Sequence, residues 1–402
     1  MNNICPSDKC TGCYACISAC RHNSITMQED EYGELHPVIN ENTCIDCGAC
    51  KKACPNNYRL SRSYPFVCYA SWISDKQKRR ICASGGIATI MSEYVIKECN
   101  GVIFGSRYDN HLSPIITYTE SEDELEKFKG SRYVQSVVGE RTFKEVQEFL
   151  KLGRKVLFIG TPCQIAGLKS FLKNNYSNLI TVDLICHGCT PSKYFKEELD
   201  EVCSSKDLTD ISDVRFRGND GYNYCYSLWK DNKCVYSKKG FSSYYLAGFL
   251  SGVTLRENCF NCSYACPERV SDITIGDFIG LGKDVPFKYP KWNVSSVLIN
   301  TEKGNSFYES VISSMPDLMN IERKLEERLQ YKPSLLEPAK RPELRIVFRN
   351  VYLEKGYVAA SREVLREMVT FYTNQYKKEK IQRAFLLPFR VLKRIYKQFF
   401  EL

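Results

Sequence analysis

Two runs of four cysteines with the same spacing constrain this chain more than any other feature. Cys10, Cys13, Cys16 and Cys20 follow C-x2-C-x2-C-x3-C, and Cys44, Cys47, Cys50 and Cys54 repeat it, with Pro55 completing the second run. The chain carries 21 cysteines but only 4 histidines. The N-terminus, MNNICPSDKC, lacks the apolar core of an export signal, so a cytoplasmic location is expected. In a reducing compartment such a cysteine count points to metal ligation or redox chemistry rather than a disulfide scaffold, and the odd number argues against complete pairing. Sites rich in thiolate and poor in imidazole favour iron–sulfur clusters or all-cysteine zinc.

The complete run at Cys44 to Pro55 is the bacterial ferredoxin pattern, in which the fourth cysteine ligates the other cluster. Three thiolates on one tight loop take three corners of a [4Fe-4S] cube, and the fourth, at a short helix, reaches the second cube. Cys10, Cys13, Cys16 and Cys54 are therefore expected to hold one cluster, and Cys44, Cys47, Cys50 and Cys20 the other. Paired C-x2-C motifs also bind zinc, but the duplicated run with its trailing proline is far more specific for iron–sulfur. Arg21 stands where proline would complete the first run, and Cys5, outside the repeat, reads as a spare thiol. Between the runs, Gly33 and Pro37 suit a hairpin-like link.

With 402 residues, 43% of them hydrophobic and 26% charged, the chain suits a globular protein of two or three domains. The expected class is α+β: a dicluster ferredoxin domain over 1–60, an α/β body in two regions, 66–150 and 151–335, and a basic helical tail over 340–402. Ile87, Ile90, Met91, Tyr94 and Val95 recur at helical spacing after Ser84-Gly85-Gly86. VIFGSRY, KVLFIG and LITVDLIC read as strands, the last two each followed by a helix, which predicts a parallel sheet. VRFRG, YSLWK and KCVYS read as antiparallel strands. No run of roughly eighteen apolar residues occurs, so no spanning helix is expected. The net charge is +9, but the last 27 residues hold eight Lys/Arg against Glu379 and Glu401, leaving little basic character for a nucleic-acid-binding body.

Beyond residue 65 the chain resembles the coenzyme F420 hydrogenase/dehydrogenase beta-subunit family. The resemblance rests on SGGIAT (84–89), GSRYVQS (130–136), IGTPCQIAGL (159–168), DLICHGCTPS (183–192), NCFNC (258–262) and SDITIGDFIG (271–280), in the family's order. It implies an FAD-type flavin, a further iron–sulfur cluster, and electron exchange with a two-electron carrier, deazaflavin-like, or an organic substrate. By that resemblance Ser84, Gly85, Gly86, Ser131, Tyr133, Gln135, Ser136, Thr161 and Gln164 are candidates for the flavin pocket. The residues lend support of their own. Small residues opening a helix let backbone N–H groups approach a phosphate, and Thr161 sits at a strand's carboxyl end, where α/β sheets bind ligands. The plainer readings are a Gly-Gly turn and ordinary strand residues at Tyr133 and Gln135.

For the third cluster the preferred ligands are Cys163, Cys186, Cys259 and Cys262, with Cys189 and Cys266 as substitutes; structural zinc or free thiols are the alternative. Cys68, Cys82, Cys99, Cys203, Cys225 and Cys234 read as packing residues. His187 is the candidate catalytic group, as a proton donor to substrate or flavin, with cluster tuning or a structural role as alternatives. Arg215 and Arg217 suit a phosphate or carboxylate, or a solvated strand face. In the tail, Phe385, Phe389, Leu392, Tyr396 and Phe399 alternate with Arg390, Lys393, Arg394 and Lys397, which suits a membrane-surface helix, a partner-docking helix or a terminal helix packed on its own domain. The expected function is an iron–sulfur flavoprotein oxidoreductase working with a redox partner protein or a small-molecule electron carrier. Its rivals are a non-catalytic electron-transfer subunit and a reductase of a biosynthetic intermediate such as a polysaccharide precursor.

Overall fold

The computed structural model describes residues 3–217, 224–331 and 333–382. The chain opens with two short helices, α1 (Ala15–Ala19) and α2 (Ala49–Ala53), flanking an antiparallel hairpin of β1 (Ile25–Glu29) and β2 (Leu35–Ile39). The hairpin turns through Gly33 at φ 71°, as the connector predicted. The Asp30 carboxylate accepts the N–H groups of Tyr32 and Glu34, closing the turn. The duplication shows in the backbone. Each helix is preceded by a left-handed residue, Tyr14 at φ 65° and Gly48 at φ 71°, in equivalent places. Glycine takes that conformation freely, whereas Tyr14 is held there by burial in the core.

The body follows as β3 (Val67–Ile73), α3 (Lys76–Arg80), α4 (Ile87–Lys97), β4 (Val102–Tyr108), β5 (Pro114–Thr119), α5 (Thr142–Lys151), β6 (Val156–Gly160), α6 (Pro162–Leu172), β7 (Leu179–Leu184) and α7 (Ser192–Ser205). Next come β8 (Asp213–Arg215), β9 (Cys225–Lys230), β10 (Lys233–Lys239), α8 (Tyr244–Ser251), α9 (Glu257–Phe260), β11 (Ile273–Asp277), β12 (Ser295–Ile299), α10 (Glu302–Ser314), β13 (Leu318–Arg323), α11 (Leu325–Leu329) and α12 (Leu344–Val364). Eight strands form one sheet in the order β13-β3-β12-β11-β7-β6-β4-β5. Its centre, β4, β6, β7 and β11, is parallel, as expected. Its flanks are antiparallel, so the sheet is mixed rather than wholly parallel. β12 returns beside β11 after a loop, without a helical crossover, and so runs the other way. β8–β10 form a separate antiparallel sheet.

Strands from 66–150 and 151–335 are interleaved in the large sheet, with β3 between β13 and β12, so that boundary separates two sequence regions that share one core. Alternation along the strands assigns its two faces. Leu157 and Ile103 point into a layer with Ile90, Met91 and Val95 of α4 and Phe307 and Val311 of α10. Val156, Phe158, Val102 and Phe104 face a second layer containing Ile165 and Leu168 of α6. That layer continues without a break into Ile4, Tyr14, Ala15 and Ile17, so the N-terminal unit covers the sheet as a further helical layer would. The weld is tight: a Cβ at Gly167 of α6 would stand 2.8 Å from Cys13 Cβ. Ser170 Oγ donates to the Ala53 carbonyl at 2.6 Å. α12 breaks at Gly356 (φ 79°) and packs with α7 and α8 in an aromatic core around Tyr194, Phe348 and Tyr357; the chain is helical again over 366–382. Among the described residues no helix is long and apolar enough to cross a membrane. The apolar and basic residues of the tail named above lie outside the described residues.

Candidate redox centre

The cysteines gather into three nests. In the first, Cys10 and Cys13 lie on the loop entering α1, Cys16 in its first turn, and Cys54 caps the C-terminus of α2. All four are buried. Cys5 lies within hydrogen-bonding reach of both Cys10 and Cys54, so it belongs to this nest rather than standing apart from it. Contact with Cys5, backed by His36 and the Gly12 N–H and opposed by burial, holds the Cys10 thiol well below its ordinary range. Burial pushes the Cys13 thiol up to about 12 and the Cys16 thiol further in the same direction. In the second nest, Cys44, Cys47 and Cys50 are joined by Cys20 from the end of α1. These four line one small pocket with Ile25, Ile39 and Ile45. The crossed ligand sets expected from the repeat are thus the sets brought together. Cys47 is the exposed member, and Ile45 beside it is 63% exposed.

The third nest lies at the carboxyl edge of the parallel strands. Cys163 sits in the first turn of α6, just after β6, and Cys186 just after β7. Cys259 and Cys262 come in on the segment from α9. Cys163, Cys186, Cys259 and Cys262 lie within electrostatic range of one another. Burial pushes the Cys163 thiol up to about 12 and raises that of Cys186 well above its ordinary range. Cys189 hydrogen-bonds Cys259 and is a fifth member; the contact lowers the Cys259 thiol against the opposing effect of burial. Cys266 is turned aside, accepting from the Arg62 guanidinium at 3.1 Å and bonding the Glu268 carbonyl at 3.2 Å. Among the described residues no three cysteine sulfurs lie within 4.8 Å of one another. A tetrahedral zinc, at about 2.3 Å per thiolate, would draw its sulfurs closer than that. Four thiolates per set are the donors a four-iron cube takes. The group that does meet that spacing, Asp30, Glu34 and His36, has its acceptors committed to backbone N–H groups and arginines.

The nine candidate flavin residues fall into two groups. Ser84, Gly85 and Gly86 lie against β3 and β12, where a Cβ at Gly85 would stand 2.8 Å from Ser295 N, so packing alone requires glycine there. No side chain caps α4 after Gly86. Thr161 caps α6, and Ser136 hydrogen-bonds Ser106 at 2.7 Å. Ser131 is half-buried on the same segment. The others are engaged within the protein. Gln164 completes the capping box with Thr161 and donates to the Ser136 carbonyl. Gln135 accepts from Arg256 at 2.6 Å. Tyr133 stacks on Phe249 at 4.8 Å between centroids. His187 places Nε2 3.3 Å from the Phe249 carbonyl, which can only accept and so fixes that nitrogen as the protonated one. Arg217 pairs with Asp277 at 2.9 Å, and Arg215 with Asp213 at 2.6 Å, so neither presents a bare guanidinium.

Of the cysteines expected to pack, Cys68, Cys82 and Cys225 are buried and Cys99 and Cys203 half-buried, whereas Cys234 is exposed on β10. Sequence reasoning did not single out Arg256, Glu34 or His36, and placed Cys5 outside the site. The one local signal was a charged pair, Arg256-Glu257, immediately before the ligand-type run at Asn258.

Residues 9–58 match the model of the 4Fe-4S dicluster domain. Residues 153–322 match that of the C terminus of the coenzyme F420 hydrogenase/dehydrogenase beta subunit. No curated protein sequence matches the chain. Among solved structures, a chain of the F420-reducing [NiFe] hydrogenase complex from Methanosarcina barkeri aligns over 76% of this chain and 92% of its own, at 17% identity and a TM-score of 0.44. The chain thus joins residues that match a 4Fe-4S dicluster domain to a segment that matches the C terminus of the coenzyme F420 hydrogenase/dehydrogenase beta subunit.

Proposed function

We propose that the protein is an iron–sulfur flavoprotein oxidoreductase in which three [4Fe-4S] clusters serve one flavin at the carboxyl edge of the large sheet. The observation that carries this reading is the convergence of Cys163, Cys186, Cys259 and Cys262 on the edge where α4 begins without a cap. When bound, the clusters supply single-electron transfer, and the flavin pairs those electrons for hydride chemistry. The chain does the rest. Burial of the first nest keeps water from its thiolates, and the Gly12 and Ala15 N–H groups donate to Cys10 and Cys13. The exposed rim at Cys47 and Ile45 offers the approach for a redox partner protein or a small-molecule carrier, deazaflavin-like by family. The uncapped first turn of α4 would hold the flavin phosphates. His187, fixed by Phe249, would hold a proton beside the third nest. The many cysteines and few histidines suit a reducing, cytoplasmic compartment.

A second reading, an electron-transfer subunit without its own flavin, is favoured by one observation: Tyr133, Gln135 and Gln164 spend their polar or aromatic groups inside the protein. Anaerobic purification followed by iron, sulfide, zinc and flavin analysis separates the two. The first reading expects about twelve irons and one flavin per chain. Cys163→Ser is expected to lower iron by about four per chain, and Cys266→Ser to leave it unchanged. Equal loss from both variants overturns the ligand set, and clusters without flavin favour the second reading.

A further inference from the structure

Arg256 is 0% exposed and stands between the first and third nests. Its backbone belongs to the third: its N–H donates to the Cys189 carbonyl at 2.9 Å, and its carbonyl accepts from Cys259 N–H at 3.1 Å. Its guanidinium crosses to the N-terminal unit, donating to the Cys10 carbonyl at 3.2 Å and the Leu35 carbonyl at 3.1 Å. The remaining bonds run to Gln135 Oε1 at 2.6 Å and Asn258 Oδ1 at 3.1 Å. The fork is shaped into the first nest as well. Gly12, between Cys10 and Cys13, would as alanine push a Cβ to 2.6 Å from Gln135 Nε2 and 3.6 Å from the Arg256 guanidinium.

Every acceptor around Arg256 is neutral, and among the described residues it makes no ion pair. Two other buried arginines differ. Arg269 pairs with Asp183 at 3.0 Å, and Arg345 with Glu34 at 3.4 Å. The carboxylate that acts most on Arg256 is that of Glu34, which is already bound by Arg345 and Arg349. A buried charge without a counter-charge is costly, so the balance has to come from its neighbours. Those neighbours are two nests of thiolates, one on each side. A four-iron core held by four thiolates is a net anion, and its potential depends on the charge around it.

We propose that Arg256 is an electrostatic coupler, a single buried cation that is the shared counter-charge of the first and third clusters and raises the reduction potential of both. It is a positioning residue, not a catalytic one. The inference rests on the reading that both nests hold clusters, and the unaltered protein's iron content checks that reading first. If its third cluster is absent, that reading fails; if three clusters are present, the variants judge Arg256 alone.

The test is a redox titration followed by electron paramagnetic resonance on anaerobically purified wild type, Arg256→Met and Arg256→Lys. The methionine variant is expected to shift the reduction equilibrium of both clusters at least tenfold toward the oxidised state, about 59 mV for one electron. The second cluster is expected to stay in place, and the lysine variant to lie within threefold of wild type. Should the methionine variant lose iron instead, Arg256→Gln, which keeps amide donors without the charge, takes its place in the titration, and wild-type potentials for both clusters in that variant overturn the proposal. The proposal is overturned if neither cluster or only one of them shifts. It is equally overturned if both variants shift or lose iron alike, which would make the hydrogen-bonding fork, not the charge, the operative feature.

Discussion

Glu34 sits in the hairpin turn of the dicluster unit, yet it is the anchor of the C-terminal helix. It is 2% exposed. Its two carboxylate oxygens accept the Glu257 N–H, each at 3.0 Å, and one also meets Arg349 at 2.6 Å and Arg345 at 3.4 Å. Glu34→Ala leaves those arginines with Glu257, whose carboxylate Arg341 already claims. Removing one partner of a buried pair costs about 3–5 kcal/mol, because the other charge stays buried. Glu257 Oε2 already lies 3.3 Å from Arg345 and 3.2 Å from Arg349, so it absorbs part of the loss. The lower end, about 3 kcal/mol, is therefore expected, a roughly hundredfold fall in the folded-to-unfolded ratio. Glu34→Gln, which keeps an oxygen for the Glu257 N–H but not the charge, should fall between Ala and wild type. Urea unfolding at neutral pH under anaerobic conditions reads all three. An alanine variant within about 1 kcal/mol of wild type would refute the clasp, since that is the range of an exposed pair.

Two further outcomes follow from single positions. Gly167→Leu drives a side chain into Cys13 across the weld between α6 and the first nest. Overpacking of about 1–3 kcal/mol outweighs the roughly 1 kcal/mol gained by replacing a helical glycine. Iron at the first cluster should fall while the second cluster's signal persists, and unchanged iron would contradict the weld. Asp272 accepts from the Thr181 N–H at 2.9 Å and the Thr181 hydroxyl at 2.7 Å. Burial raises its pKa, but Lys169, Lys303 and Thr181 together bring it below the ordinary carboxylate value of 3.8. A depressed carboxylate stabilises the fold above its unfolded value and loses that contribution as pH falls through the folded one. Wild type should thus lose more stability than Asp272→Asn between about pH 5 and pH 3. Parallel pH profiles for the two would rule the assignment out.

Much of this was legible because it is local. Ligand loops for a cube are short, so Cys10–Cys16 and Cys44–Cys50 announce themselves by spacing, and the crossing of Cys20 and Cys54 follows from the repeat. The buried runs at 156–160 and 179–184 likewise gave their strands by continuous apolar character. What stayed hidden depends on residues far apart in the chain. Arg256 gains its meaning from carbonyls at Cys10 and Leu35. Glu34 looks like any polar turn residue until Arg345 arrives from α12. Cys5 falls outside the repeat, and only the folded loop brings it to Cys10 and Cys54. The antiparallel flanks escaped because β3 pairs with strands that begin more than two hundred residues later, and no local pattern encodes a neighbour.

That placement of β3 also sets an order of events during synthesis. β3 lies between β12 and β13, so the sheet stays open along that side until residue 323 has been made. Both cysteine runs are complete by residue 54. The third nest must wait for Cys262, and the Glu34 clasp for Arg349. Because chains fold as they emerge and non-local pairing comes late, iron for the first two sites can be taken up by a nascent chain whose sheet is unfinished. Maturation then has two separable stages, and a ribosome-bound fragment ending near residue 140 would carry the first without the second.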